Sequence, residues 1–126
     1  LSKAGYATEV EIKVSKADLK KDRDKGHGHV SDKIKRLYFA VPEKIDTAFV
    51  EAHVPARAGI IVVNKKGKCR IVKQCTYNMK AKPFSDSDRM QLARLGAMRI
   101  WGLKRNIVVL KDRTKEQQKI IKELTA

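Results

Sequence analysis

The 126 residues carry 29 Lys and Arg against 14 Asp and Glu, a formal charge of +15. A field of that sign draws polyanions, and nucleic acid is the commonest polyanion available to a small protein. No stretch of about 18 apolar residues occurs, and no helical pattern joins a basic face to a broad apolar one, so no membrane partner is expected.

The length fits a single domain over residues 1–126. The sequence opens at Leu1 inside a strand-turn-strand pattern without a signal-peptide pattern, and is expected to lack its N-terminal element. Cys69 and Cys75 have neither Cys-x-x-Cys nor Cys/His spacing. Free thiols in a reducing, cytoplasmic compartment are therefore expected.

Residues 1–14 read as a hairpin turning at Ala4-Gly5. In its second strand, Thr8 to Ser15, the period of two puts Thr8, Val10, Ile12 and Val14 on one face, expected to meet a core. Glu9, Glu11 and Lys13 fall on the other. Ser15-Lys16-Ala17-Asp18 reads as a capping box opening a short basic helix to about Lys25. Gly26-His27-Gly28-His29 ends that helix, and Ser31-Asp32 caps a second short one.

Residues 36–41 form a mostly apolar run that predicts a buried strand closed by Pro42. Ile45, Ala48, Phe49 and Ala52 have helical spacing over 43–53. A hairpin is predicted next, with strands at 59–63 and 68–75 around a turn at Asn64-Lys65-Lys66-Gly67. Ser85 to Asp88 is a further capping box, opening a helix to about Lys104 with Met90, Ala93, Ala97, Ile100 and Trp101 as its buried stripe. A tail strand at 107–110 and a last helix capped at 114–117, docked by Ile120, Ile121 and Leu124, complete the reading. Together these predict an α/β fold with a central mixed β-sheet flanked by helices.

The chemistry concentrates in Glu9, Glu11 and Lys13, successive members being about 6 to 7 Å apart along a strand. A Glu-x-Lys step suits a metal-dependent phosphodiesterase: the carboxylate holds a hard divalent cation, and the ammonium orients water and offsets charge on a phosphate. The same step on an exposed strand also serves solubility alone.

Three segments extend the pattern: TEVEIKVSKADLKKD, KGHGHVSDKIKRLYFAVPE and VPARAGIIVVNKKGKCRIVKQ. Together they resemble the PD-(D/E)XK nuclease superfamily, most of all its small MmcB-like DNA-repair proteins, over about residues 5–104. The resemblance implies a restriction-endonuclease-like core and hydrolysis of DNA phosphodiesters with Mg²⁺ or Mn²⁺. It further implies Glu11 as metal-binding carboxylate, the Ile12 carbonyl as a metal ligand and Lys13 as the lysine of the motif. In that superfamily a first acid ends the preceding strand, whereas no Asp or Glu precedes Glu9 here. That acid is expected upstream of Leu1; the alternative is a degenerate site in which Glu9 is its only substitute.

Contact with the DNA backbone is assigned to Lys20, Lys21 and Lys25 on the helix after the motif, to His27 and His29 in the Gly-rich loop, and to Lys33. Asp18, Asp22 and Asp24 are interleaved with those helix lysines, which equally describes a solvated face. Residues 64–82 are cleaner: Lys65, Lys66, Lys68 and Arg70 belong to a stretch with no acid at all, suited to a duplex backbone. GHGH offers too few ligands for a zinc site. Trp101, Phe39 and Phe49 lie on apolar stripes and read as core rather than stacking platforms. The expected partner is DNA, and a homodimer is compatible with the pattern. The alternative is a non-catalytic basic nucleic-acid-binding protein on the same fold. Charge alone also permits a small RNA-binding component of a larger particle.

Overall fold

The computed structural model describes residues 1–24 and 31–126, which form two compact units, Leu1–Phe84 and Ser85–Ala126. The first unit is built on a four-stranded mixed sheet. Its strands β1 (Ala7–Ile12), β2 (Ile34–Pro42), β3 (Gly59–Val63) and β4 (Cys69–Lys73) lie side by side in chain order. The first three run parallel and β4 returns antiparallel to β3. Parallel neighbours require crossovers, which contain α1 (Lys16–Asp24) and α2 (Thr47–His53).

The core forms where these two helices meet the sheet. Leu37, Phe39 and Val41 project from one face of β2 and pack with Ile60, Leu19 of α1, Val50 of α2, Ile45 and Ala58, all nearly inaccessible. β2 has a neighbour on each side, and its Tyr38 and Ala40 are buried as well. The expected buried strand is therefore present, longer by two residues at its start and one at its end. Gly59 is required opposite Tyr38: a Cβ there would overlap the tyrosine ring and come within 2.8 Å of the Cys75 amide nitrogen.

Register decides which side of β1 meets the core, and the outcome reverses the expectation. Glu11 lies beside Phe39 and Val10 beside Tyr38, and directly paired residues share a face. Glu9 and Glu11 thus share the helix-covered face, as does Lys13 by alternation. Val10, Ile12 and Val14 lie on the face opposite α1 and α2, 46, 72 and 63% exposed. With Ala40, Pro42, Ile61 and Val63 they line an apolar groove of about 630 Å³.

Other local expectations change for identifiable reasons. Residues before β1 form a turn rather than a first strand: Ser2 N donates to the Tyr6 carbonyl and Gly5, at φ 82°, donates to that of Ser2. At 31–33 the Ser31 hydroxyl accepts from Lys33 N at 3.2 Å, making a turn that leads into β2 where a second helix was predicted. The helix over 43–53 shrinks to α2, which buries Val50 and leaves Ala48 and Ala52 exposed. The β3–β4 hairpin follows its turn chemistry. The Asn64 side chain accepts from the amides of Lys66 and Lys68, both at 2.9 Å, and Gly67 supplies φ 76°.

The second unit is one helix, α3 (Asp86–Thr125). Its capping box is as predicted: Ser85 Oγ accepts from Asp88 N, and Asp88 accepts from Ser85 N at 2.9 Å. The tail strand and separate last helix are not formed. Residues 107–110 continue the helix, and the Thr114 hydroxyl donates to the Leu110 carbonyl one turn back instead of capping a new one. No proline or stop signal interrupts 105–119, where Lys, Arg, Glu and Gln favour helix around the short β-branched run. The predicted buried stripe is solvent-facing, with Met90 73%, Ile100 55% and Trp101 70% exposed. Ile120, Ile121 and Leu124, expected to dock a last helix, are exposed too.

Candidate functional site

The most unusual side chain of the sheet is Lys13, a lysine only 7% exposed. An ammonium is almost never buried without partners, because desolvation penalises the charge. Lys13 has two. Its Nζ lies 2.8 Å from Asp22 Oδ1 and 3.3 Å from Glu11 Oε2.

The local sequence explains the convergence. Glu11 and Lys13 are two residues apart on a strand and so share a face. Ser15 Oγ accepts from Asp18 N at 3.2 Å and starts α1 immediately afterwards. Leu19 anchors that helix in the core, and Asp22, three residues on, lies one turn along the same face. The helix therefore returns a second carboxylate to the ammonium that the strand supplies. Burial works to lower the Lys13 pKa, but the hydrogen bond and charge of Asp22, then those of Glu11, outweigh it and leave the pKa above the ordinary lysine value.

The backbone is also suited to a ligand at this point. Lys13 N donates to the Ala40 carbonyl at 3.0 Å, and Ile12 pairs in register with Ala40. Because successive residues of a strand point their amides and carbonyls to opposite sides, those of Ile12 face the open edge of the sheet. The neighbouring Glu11 side chain is 31% exposed. Glu9 is half-buried on the same strand face. Oxygen donors of this kind suit a hard divalent cation, which takes one or two carboxylates and fills the rest of its shell with water and phosphate oxygen. Among the described residues no three His, Cys, Asp or Glu gather into a metal-binding group.

This trio sits at the carboxyl end of the parallel strands, the end at which open α/β sheets usually take ligands. The β3–β4 turn projects from the same end, because β3 runs parallel to β2 and β1. It presents Lys65, Lys66 and Lys68, with Arg70 following on β4, all exposed. Two strand spacings, about 10 Å, separate β1 from β3.

The remaining basic residues are dispersed. Lys20 and Lys21 are exposed on α1, where Lys16 and Lys20 lie 4.8 and 5.9 Å from the centre of the Phe49 ring. Lys33 precedes β2 and so belongs to the amino end of the sheet. Ala40, the neighbour of Lys13, is six residues past Ile34, about 20 Å along the strand. Lys33 is therefore not part of one cluster with Glu11 and Lys13. Lys25, His27 and His29 lie outside the described residues. Phe39 is core as expected and Phe49 packs against it, whereas Trp101 is exposed. Both cysteines are free, Cys69 exposed and Cys75 buried.

Sequence reading missed Asp22, which stood in an alternating run of charges like any solvated helix face. Its available signal was the spacing of three from Leu19, the apolar residue of α1. It also missed two stacked cations, Lys35 at 3.8 Å from the Tyr6 ring centre and Arg36 at 4.8 Å from that of Tyr77. Among the described residues no helix is long and apolar enough to cross a membrane. Comparison with family models, curated proteins and solved structures yields no match.

Proposed function

We propose that this chain is a metal-dependent DNA endonuclease-like protein with a restriction-endonuclease-like core, hydrolysing phosphodiesters in DNA repair or processing. The observation that carries the reading is the buried Lys13 ammonium held between Glu11 and Asp22 at the carboxyl end of the sheet. The exposed lysines of the β3–β4 turn at that same end support DNA as the polyanion.

In this proposal Glu11 and the Ile12 carbonyl hold Mg²⁺ or Mn²⁺, with Glu9 as a further carboxylate. When bound, the ion polarises the phosphate and makes its water a nucleophile near neutral pH. Asp22 keeps Lys13 in place and charged. Lys13 offsets the negative charge that grows on the phosphate during attack, which is the usual role of a preorganised cation. Lys65, Lys66, Lys68 and Arg70 hold the backbone without reading sequence, because phosphate contacts position and do not specify.

A second reading is a basic DNA-binding protein on the same fold that does not cut. The observation favouring it is that the ammonium and both carboxylates are already mutually paired, an arrangement that also serves as a structural ion cluster. Cleavage of duplex, flapped and single-stranded DNA with added Mg²⁺ or Mn²⁺ separates the two. Metal-dependent cleavage that Glu11→Gln and Lys13→Ala abolish, with DNA binding retained, supports the nuclease. Binding without cleavage in every form supports the second reading, and no DNA binding refutes both.

A further inference from the structure

α3 is a helix of 40 residues, about 60 Å long, without a single buried residue. Helices in water draw most of their stability from packing an apolar face against something else. Its sequence states what that something is. From Ile100 onward one series of apolar residues falls at alternating intervals of three and four: Ile100, Leu103, Ile107, Leu110, then Ile121 and Leu124. All six are between 52 and 80% exposed. The interval between is filled in step by Thr114 and Gln117, so the repeat of seven is unbroken.

In heptad terms isoleucine or threonine holds every a position, and leucine holds every d position except Gln117. β-branched residues at a with leucine at d favour a parallel two-stranded coiled coil. Thr114 is compatible with such a seam because its hydroxyl already donates to the Leu110 carbonyl at 2.9 Å, which leaves its methyl for the partner. We propose that residues 100–124 of α3 pair in parallel and in register with the same segment of a second copy of this chain.

The area is sufficient. Burying a leucine or isoleucine removes on the order of 100 Å² of apolar surface. Six per chain in two chains remove about 1,200 Å², and the stems of flanking lysines and arginines add to this. Stable interfaces begin at about that total. The flanks predict a signature. Arg99 and Arg113 occupy g positions, Lys104 and Lys111 occupy e positions, and no acid occupies either between 99 and 118. In a parallel pair Arg99 faces Lys104 of the second copy, a like-charge contact that salt screens. Association through this seam therefore strengthens with salt, opposite in sign to DNA binding. Trp101, Val108 and Val109 lie outside the a and d seam, as does Ile120 at g, and none of them is needed for it.

Sedimentation equilibrium of the 126-residue chain at low and high NaCl tests the proposal. The expected result is a dimer that tightens as salt rises. Leu110→Lys, at d, weakens it by about 100-fold or more, while Val109→Lys, at c, leaves it unchanged. Thr114→Ile tightens it by about tenfold, an outcome that loss of folding cannot imitate. In a Cys69→Ser background, Leu124→Cys cross-links to itself under mild oxidation, since only a parallel pair brings the two Leu124 positions together. A monomer at all concentrations and salts overturns the proposal. So does equal damage from Val109→Lys and Leu110→Lys, no tightening by Thr114→Ile, or a dimer in which Leu124→Cys does not cross-link.

Discussion

Asp22→Asn is the sharpest test of the site, because it removes charge from the Lys13 partner while leaving shape almost unchanged. In the native protein the Lys13 side chain is 8% exposed, and its ammonium has Asp22 at 2.8 Å with that side chain 13% exposed, and Glu11 at 3.3 Å with its side chain 31% exposed. Hydrogen bonds to charged groups contribute about 1.5 to 3 kcal/mol, and breaking a fully buried ion pair costs about 3 to 5 kcal/mol. Glu11 remains to share the charge and lies partly in water, so a value of about 2 to 3 kcal/mol is expected for Asp22→Asn. Glu11→Gln, acting on the longer and more hydrated contact, is expected to cost about 1 kcal/mol or less. At about 4 to 8 °C per kcal/mol for a unit of this size, Asp22→Asn lowers Tm by roughly 10 to 20 °C. Tyr6, Tyr38 and Tyr77 all belong to the sheet unit and Trp101 to α3, so near-ultraviolet dichroism of tyrosine against tryptophan fluorescence follows the two units separately. A double-mutant cycle of Asp22→Asn with Lys13→Met then isolates the pairwise energy. An Asp22→Asn protein within about 0.5 kcal/mol of wild type, or a coupling near zero, would refute the claim that carboxylates hold the lysine.

Replacing Lys65, Lys66 and Lys68 by Ala is expected to weaken binding to all DNA sequences alike and to flatten the salt dependence by about 0.9 log units for each phosphate no longer neutralised. An unchanged slope in a filter-binding or anisotropy titration assigns these lysines to solubility. On the sheet, Ile12→Ser is expected to change stability by no more than about 0.5 kcal/mol, whereas Phe39→Ala costs about 3 to 5 kcal/mol. Urea denaturation of both checks which face of β1 is covered. The raised pKa of Lys13 fixes the sign of an alkaline effect: its stabilisation is complete below the ordinary lysine value of about 10.4 and is lost as pH rises through the higher folded value. Thermal melts above pH 10 are therefore expected to show a loss that Lys13→Met lacks.

Much of the first unit was legible because local rules and tertiary packing agree there. The Asn64 to Gly67 turn and the apolar run that became β2 carry their geometry locally, as does the Ser85 capping box that opens the second unit. Where the readings failed, the missing information was long-range. The helix lost at 31–33 rested on a cap alone and the one shortened within 43–53 on four spaced apolar residues, too little to hold a helix against a neighbouring strand. In α3 the β-branched run at 107–110 resembles a strand over four residues, whereas the continuous repeat of seven through Leu124 is visible only over more than twenty.

The reversal of β1 shows the same limit at the site itself. Alternation establishes that Glu9, Glu11 and Lys13 share a face, but alternation is symmetric: it cannot tell which face the helices will cover. Apolarity points to Val10, Ile12 and Val14, and the chain places the helices on the opposite side, because α1 follows β1 directly and must cross back to β2 over one face of the sheet. At an edge strand that choice has a chemical consequence. The polar residues enter a low-dielectric margin in which a charge needs a partner, and Asp22 is the residue that the crossover brings there. An exposed Glu-x-Lys step would be an unremarkable solvated pair. The same step beneath α1 becomes a paired, partly desolvated group beside the Ile12 carbonyl at the open edge. The electrostatic strength of the site therefore depends on the helix that follows the motif as much as on the motif.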